Sequence, residues 1–206
     1  MTTHQDTKVR SGRMATVYGV QRDASLTDKN IIRNKKEFKF PFISGTSYKG
    51  EWAMNRKEGF GVQIELDGNK YEGEWLRDKK QGKGILWLKK GKKYVKQYEG
   101  EWEEDYMCGH GTFYYPNGES YRGNWVDDKR EGNGKMQYLN SDVYDGEWKD
   151  DQRHGQGTIF LANGNIYEGY WIGNMKEGPG KFLYASTRKV YAGEWAQDQP
   201  QCGEYR

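Results

Sequence analysis

Aromatic and polar residues alternate through most of this chain in short runs broken by glycine. Tyr71-Glu72-Gly73-Glu74-Trp75 is typical: the aromatic residues and the glycine occupy every second position, with acids between them. Residues two apart share one face of a strand, so such a run predicts a β-strand with an aromatic face and an opposite acidic, wet face. The acids in question are Glu72 and Glu74, Glu99 and Glu101, Asp145 and Glu147. A six-residue polar link follows, as in residues 76–81 or 126–131. A Gly-x-Gly then opens a second strand that ends in apolar residues, such as Ile85-Leu86-Trp87-Leu88 or Thr158-Ile159-Phe160-Leu161. Asp67-Gly68, Asn117-Gly118 and Asn163-Gly164 return the chain with hairpin-turn chemistry.

The unit repeats. Tyr-x-Gly-x-Trp begins at Tyr48, Tyr71, Tyr98, Tyr121, Tyr144, Tyr167 and Tyr191, in steps of 23, 27, 23, 23, 23 and 24 residues. Two glycines follow each of the first six tyrosines in register, from Gly59/Gly61 to Gly178/Gly180. The repeat absorbs 23 of the 28 glycines and seven of the eight tryptophans. Fixed self-similarity of this length marks a repeat architecture in which each unit completes the core of the next. The expectation is an all-β fold: an elongated single-layer antiparallel sheet of stacked β-hairpins. Glycine on the aromatic face leaves room for a neighbouring ring to lie across the backbone. At two strands per repeat, seven repeats span roughly 65 Å.

Composition changes the picture in one respect. Only 34% of the 206 residues are hydrophobic, which would suit a disordered chain, but 15% are aromatic. Folding must therefore draw on ring burial rather than aliphatic packing. The net charge is +3 from 33 basic and 30 acidic residues, which gives no nucleic-acid footprint. Cys108 and Cys202 show neither disulfide-framework nor metal-ligand spacing, and a reducing, cytoplasmic setting is expected. No apolar run approaches the roughly 20 residues of a membrane span.

At these residues the chain resembles the MORN family (membrane occupation and recognition nexus). The shared form is Tyr-x-Gly-x-Trp-x(6)-Gly-x-Gly-x(6)-Gly, seen at 71–91, 98–118 and 144–164. The resemblance covers about 48–206. It implies seven repeats over that span, the last incomplete because Cys202-Gly203 replaces the Gly-x-Gly. Residues 38–47 read as a capping half-repeat, with 38–45 as its strand and turn and with Lys36 and Phe38 in the Gly-x-Gly places. Residues 1–37 read as an irregular arm with one strand-like run, Thr16–Val20. Family members occur in junctional membrane proteins, ciliary radial spokes, plant phosphoinositide kinases and a lysine methyltransferase. The long third step, the broken last repeat and the repeat count resemble the short, repeat-only members of sperm and ciliated cells. That likeness implies a structural adaptor of the cilium or flagellum axoneme and cytoskeleton, or of the sperm head or acrosome region. It also implies protein partners, axonemal or otherwise cytoskeletal, and homodimerisation through terminal repeats. The family name suggests an alternative, an adaptor that binds acidic phospholipid at a membrane.

Two sets of residues are candidate binding sites. Tyr48, Trp52, Tyr71, Trp75, Tyr98, Trp102, Tyr121, Trp125, Tyr144, Trp148, Tyr167, Trp171, Tyr191 and Trp195 form two aromatic ladders. Their plain reading is core; the functional one is a groove whose rings also receive a partner. Lys89, Lys90, Lys92, Lys93 and Lys96 crowd an insertion around Gly91 that lengthens one turn. They form either a solvated turn or a contact for an anion, whether an acidic protein tail or a lipid head group. In the polar links acids precede bases, as in Asp78 before Lys79 and Lys80, so stacking would set an acidic ridge beside a basic one.

Catalytic chemistry has little to stand on. The Gly-x-Gly pairs lack a third glycine at dinucleotide spacing and no Gly-Lys-Ser/Thr follows them. His110 and His154 fall at different repeat positions. No catalytic residue, cofactor, metal or nucleic-acid partner is expected.

Overall fold

The computed structural model describes the backbone of residues 34–39 and all of residues 46–206. Fifteen strands form one antiparallel sheet in simple sequence order. They are β1 (Asn34–Lys39), β2 (Ser47–Ala53), β3 (Arg56–Ile64), β4 (Lys70–Leu76) and β5 (Lys79–Lys90). Then follow β6 (Lys93–Glu103), β7 (Tyr106–Tyr114), β8 (Ser120–Val126), β9 (Lys129–Gln137) and β10 (Val143–Lys149). The last five are β11 (Gln152–Phe160), β12 (Ile166–Ile172), β13 (Met175–Tyr184), β14 (Lys189–Ala196) and β15 (Gln199–Tyr205). The described residues contain no helix. The expected all-β sheet of stacked hairpins is the fold.

Two local devices differ from the sequence reading. The polar links are not loops: β4 ends at Leu76 and β5 begins at Lys79, so only Arg77 and Asp78 turn the chain. Both have positive φ, as do Asp127/Asp128 and Asp150/Asp151, the signature of a two-residue type I′ turn. The second strand therefore starts three residues before the Gly-x-Gly. The pairing then shifts register between Gly73 and Trp75, where β5 bulges around Gly82 at φ +62°. The carboxylate of Glu74 fills that bulge and accepts the N–H of Lys83 at 3.1 Å; Glu147 does the same for Gln156 at 3.0 Å. These acids are exposed, as expected, but they also serve the backbone.

The capping strand is displaced as well. β1 sets Lys36 opposite Gly50 and Phe38 opposite Tyr48. In the regular repeat Gly61 faces Gly73 and Gln63 faces Tyr71. Lys36 therefore holds the second glycine place and Asn34 the first, because the connection to β2 is two residues longer than its counterparts. The expected arm before residue 34, including Thr16–Val20, and the turn at 40–45 lie outside the described residues.

Successive repeats are stitched at both sheet margins. On one margin the Asp151 N–H donates to the Arg130 carbonyl at 3.2 Å, and the Asp151 carboxylate accepts the Arg130 N–H at 3.1 Å. Asp78, Asp105, Asp128, Asn174 and Asp198 repeat this clip on Lys57, Lys80, Met107, Arg153 and Lys176. On the other margin Asn69 accepts the Lys89 N–H and Asn165 that of Ala185, both at 2.9 Å. Pairs such as Lys79–Glu104 at 2.6 Å and Lys129–Asp150 at 2.8 Å also join adjacent repeats, so acids and bases neutralise each other across repeats. Exposed pairs of this kind add little stability.

The core is a continuous stack of rings. Tyr121 meets Trp125 of its own repeat edge-on at 5.1 Å and Trp148 of the next at 5.3 Å. The alternation runs from Tyr48 to Trp195 without a break. Each tyrosine from Tyr48 to Tyr167 lies across a facing glycine pair, Gly123 and Gly134 for Tyr121, and donates its hydroxyl to the carbonyl three residues on. From Trp75 to Trp171 each indole N–H donates to a glycine carbonyl of the preceding repeat, at 3.0–3.3 Å.

Candidate functional site

The fourteen ladder rings are all buried, none more than 8% exposed. The structure thus corrects the picture of a groove lined by open rings. With no second sheet, the rings are enclosed by glycine backbone beneath, by neighbouring rings at their edges, and by long side chains at the rims. Leu86, Phe113, Tyr138 and Tyr184 pack on them.

Over the tryptophans stands a row of cations that the sequence reading placed among surface charges. Lys57 Nζ lies 3.8 Å from the centroid of Trp75, and Lys80 Nζ 5.0 Å from that of Trp102. The Arg130 and Arg153 guanidinium carbons sit 4.3 Å from the centroids of Trp148 and Trp171, and Lys176 Nζ 4.9 Å from that of Trp195. Each stands nine residues after a repeat tyrosine and covers the tryptophan of the next repeat. Met107 holds that place in the third repeat and packs on the same core. Burial pushes the pKa of Lys57 and Lys176 down, opposed by Asp78 and Asp198. Regular spacing was the available signal, but the links hid it by placing each cation beside other charges.

Besides a recess beside the ladder at Tyr138, Arg153 and Ile159, two accessible recesses lie on the opposite face. One, of about 500 Å³, has a floor of glycine backbone at Gly157, Gly169, Gly180 and Gly193. Gln156, Thr158, Glu168, Tyr170, Lys181 and Glu194 flank it. A second, of about 470 Å³, spans the first repeats between Phe60, Glu72, Lys83, Ile85, Glu99 and His110. Both follow from the ladder. The glycines whose aromatic side is filled by a tyrosine offer only backbone to the other side, so a trough forms between rows of larger side chains. Phe60 and Tyr170 are 52% and 43% exposed within it. The lining combines glycine backbone with acids, lysines and exposed rings. Among the described residues no group of three or more His, Cys, Asp or Glu is placed to hold a metal ion.

The basic insertion also departs from its reading. It does not enlarge a turn; it lengthens β5 and β6, which stay paired to Lys90 opposite Lys93 and form a projecting hairpin. Lys89, Lys90, Lys92 and Lys93 are exposed, whereas Lys96 bonds Glu99 at 2.6 Å, which raises its pKa.

The MORN repeat family model matches residues 48–64, 71–93, 98–120, 121–143, 144–166 and 167–186, more than half of the chain. The chain belongs to the MORN repeat family. The seventh MORN-like unit, starting at Tyr191, lies outside the matched segments, in keeping with its missing first glycine. No curated protein matches the chain. Among solved structures it is similar to the TCP domain of SAS-4 (dCPAP) in complex with a proline-rich motif of Ana2 (dSTIL), from Drosophila melanogaster. That likeness has 10% identity and a TM-score of 0.41, covering 79% of this chain and 90% of the other. A likeness of that grade carries no inference about partners. The MORN ladder is the core of the sheet, and the trough and the projecting hairpin lie at its surface.

Proposed function

We propose that this MORN-repeat chain is a non-catalytic structural adaptor that binds protein partners along the face opposite its aromatic ladder. The observation that carries this reading is the glycine-floored trough, held in shape by a core in which each ladder ring after Trp52 is fixed by at least two others. A rigid, wide and polar-rimmed surface suits an extended or helical protein segment better than a small substrate. The setting proposed is the axoneme or associated cytoskeleton of a cilium or flagellum, or the sperm head. It is supported by the likeness to short, repeat-only members of the family. Detergent and high-salt extraction of ciliated cells tests it. The protein is expected to stay with the demembranated axoneme, and a Thr158→Arg/Ala192→Arg variant, which fills the trough, is expected to be released while melting as the parent does. Release of the parent by detergent alone would sink the axonemal setting; retention of the variant would sink the trough.

A second copy of the chain is proposed as a further partner. β15 is exposed throughout and its outer edge carries unpaired backbone groups. Beside it, among the described residues, the Tyr191 hydroxyl and Trp195 Nε1 are buried without a hydrogen-bond partner. Sedimentation at tens of micromolar is expected to show a dimer that Gln201→Pro abolishes by breaking the edge. A monomer at that concentration would rule it out.

A further inference from the structure

The β5–β6 hairpin breaks the repeat at a cost to the fold. Directly opposed like charges destabilise a strand pair, yet Lys90 faces Lys93 at its tip. Lys89, Lys90, Lys92 and Lys93 form no ion pair among the described residues. Beside the hairpin, toward the 115–118 turn of the next repeat, lies a cleft of about 370 Å³. Leu88 and Val95 line it from the hairpin and Tyr115 and Pro116 from the turn; Lys90, the paired Lys96 and one carboxylate, Glu119, also border it. Val95 is 43% exposed. An apolar slot beside the unpaired cations Lys90, Lys92 and Lys93 has a definite complement. We infer that this hairpin and cleft form a second docking site, separate from the trough, for an acidic peptide segment carrying one aliphatic or aromatic anchor. The anchor enters between Val95 and Tyr115, and flanking carboxylates meet Lys90, Lys92 and Lys93. An anionic membrane fits less well. Membrane-seeking elements carry apolar side chains at their tip, whereas this tip is Lys90-Gly91-Lys92-Lys93 and its exposed apolar residues, Tyr94 and Val95, begin only behind it.

Selection of a random short-peptide library on the full chain tests the assignment. The enriched sequences are expected to be acidic with a single apolar anchor. Their binding is expected to weaken roughly tenfold in Lys90→Gln/Lys92→Gln/Lys93→Gln, since each exposed ion pair contributes up to about fivefold. A separate Val95→Asp variant is expected to lose them as well. Both changes are exposed and lie outside the ladder, and an unchanged melting transition verifies the fold. No enrichment, a neutral or basic consensus, or peptides indifferent to either variant would overturn the proposal. Binding of phosphatidylserine vesicles in place of peptides would overturn it in favour of a lipid surface.

Discussion

Alkali is expected to unfold this protein within about one pH unit above pH 10, in a single cooperative step. Tyr48, Tyr71, Tyr98, Tyr121, Tyr144 and Tyr167 are at most 1% exposed, and each donates its hydroxyl to a backbone carbonyl at 2.9–3.1 Å. Burial pushes all six phenols well above their ordinary pKa. Below pH 10 both folded and unfolded chains hold these protons, so the contribution is fully present. Above it the unfolded chain releases them while the folded chain keeps them, and stability falls with every further rise. Each tyrosine can cost up to about 1.4 kcal/mol per pH unit. Six together approach roughly 8 kcal/mol, comparable with the whole stability of a domain. Phenolate absorbance and far-ultraviolet circular dichroism should change together. Gradual ionisation with the sheet intact would mean that solvent reaches the hydroxyls.

A single methyl group at Gly134 is expected to cost about 3 kcal/mol or more, the upper end of what overpacking usually does. The added Cβ would stand 2.5 Å from Cε2 of the Tyr121 ring. That ring cannot tilt away, because Trp125 and Trp148 hold its edges and the Asn124 carbonyl holds its hydroxyl. Gly91→Ala is the comparison: no atom lies within 4 Å of its would-be Cβ, and only its positive φ resists. It should cost about 1 kcal/mol. Urea midpoints of the two variants measure the difference. Equal midpoints would show that the glycine row owes nothing to the rings.

These effects arise from features legible to different degrees in the sequence. The tyrosine, tryptophan and glycine register could be read directly, because one residue type at one spacing serves one packing requirement. The fit of ring over glycine was legible for the same reason. The burial of the rings was not. It depends on Lys57, Lys80, Arg130, Arg153 and Lys176, whose alkyl stems and charged heads look like solvated surface in a highly charged chain. The clips of Asp105, Asp128 and Asp151 were hidden likewise, since a turn acid and a surface acid are the same letter. The type I′ turns were obscured because residues such as Arg77 and Asp127 adopt positive φ where glycine would ordinarily advertise it. The basic insertion showed as extra length, but only backbone pairing distinguishes a longer loop from a longer hairpin.

The clips have a direction. On the margin of Asp78, Asp105, Asp128, Asp151, Asn174 and Asp198 each turn residue reaches back to the repeat before it, and each indole N–H from Trp75 to Trp171 donates to a carbonyl already placed by that earlier repeat. A chain made from its N-terminus therefore always offers a finished template to the segment that emerges next. Assembly can proceed vectorially, unit by unit, without waiting for distant sequence to arrive. The growing end is then the one place where an incomplete layer is exposed, and the direction of synthesis matches the direction in which the sheet zips.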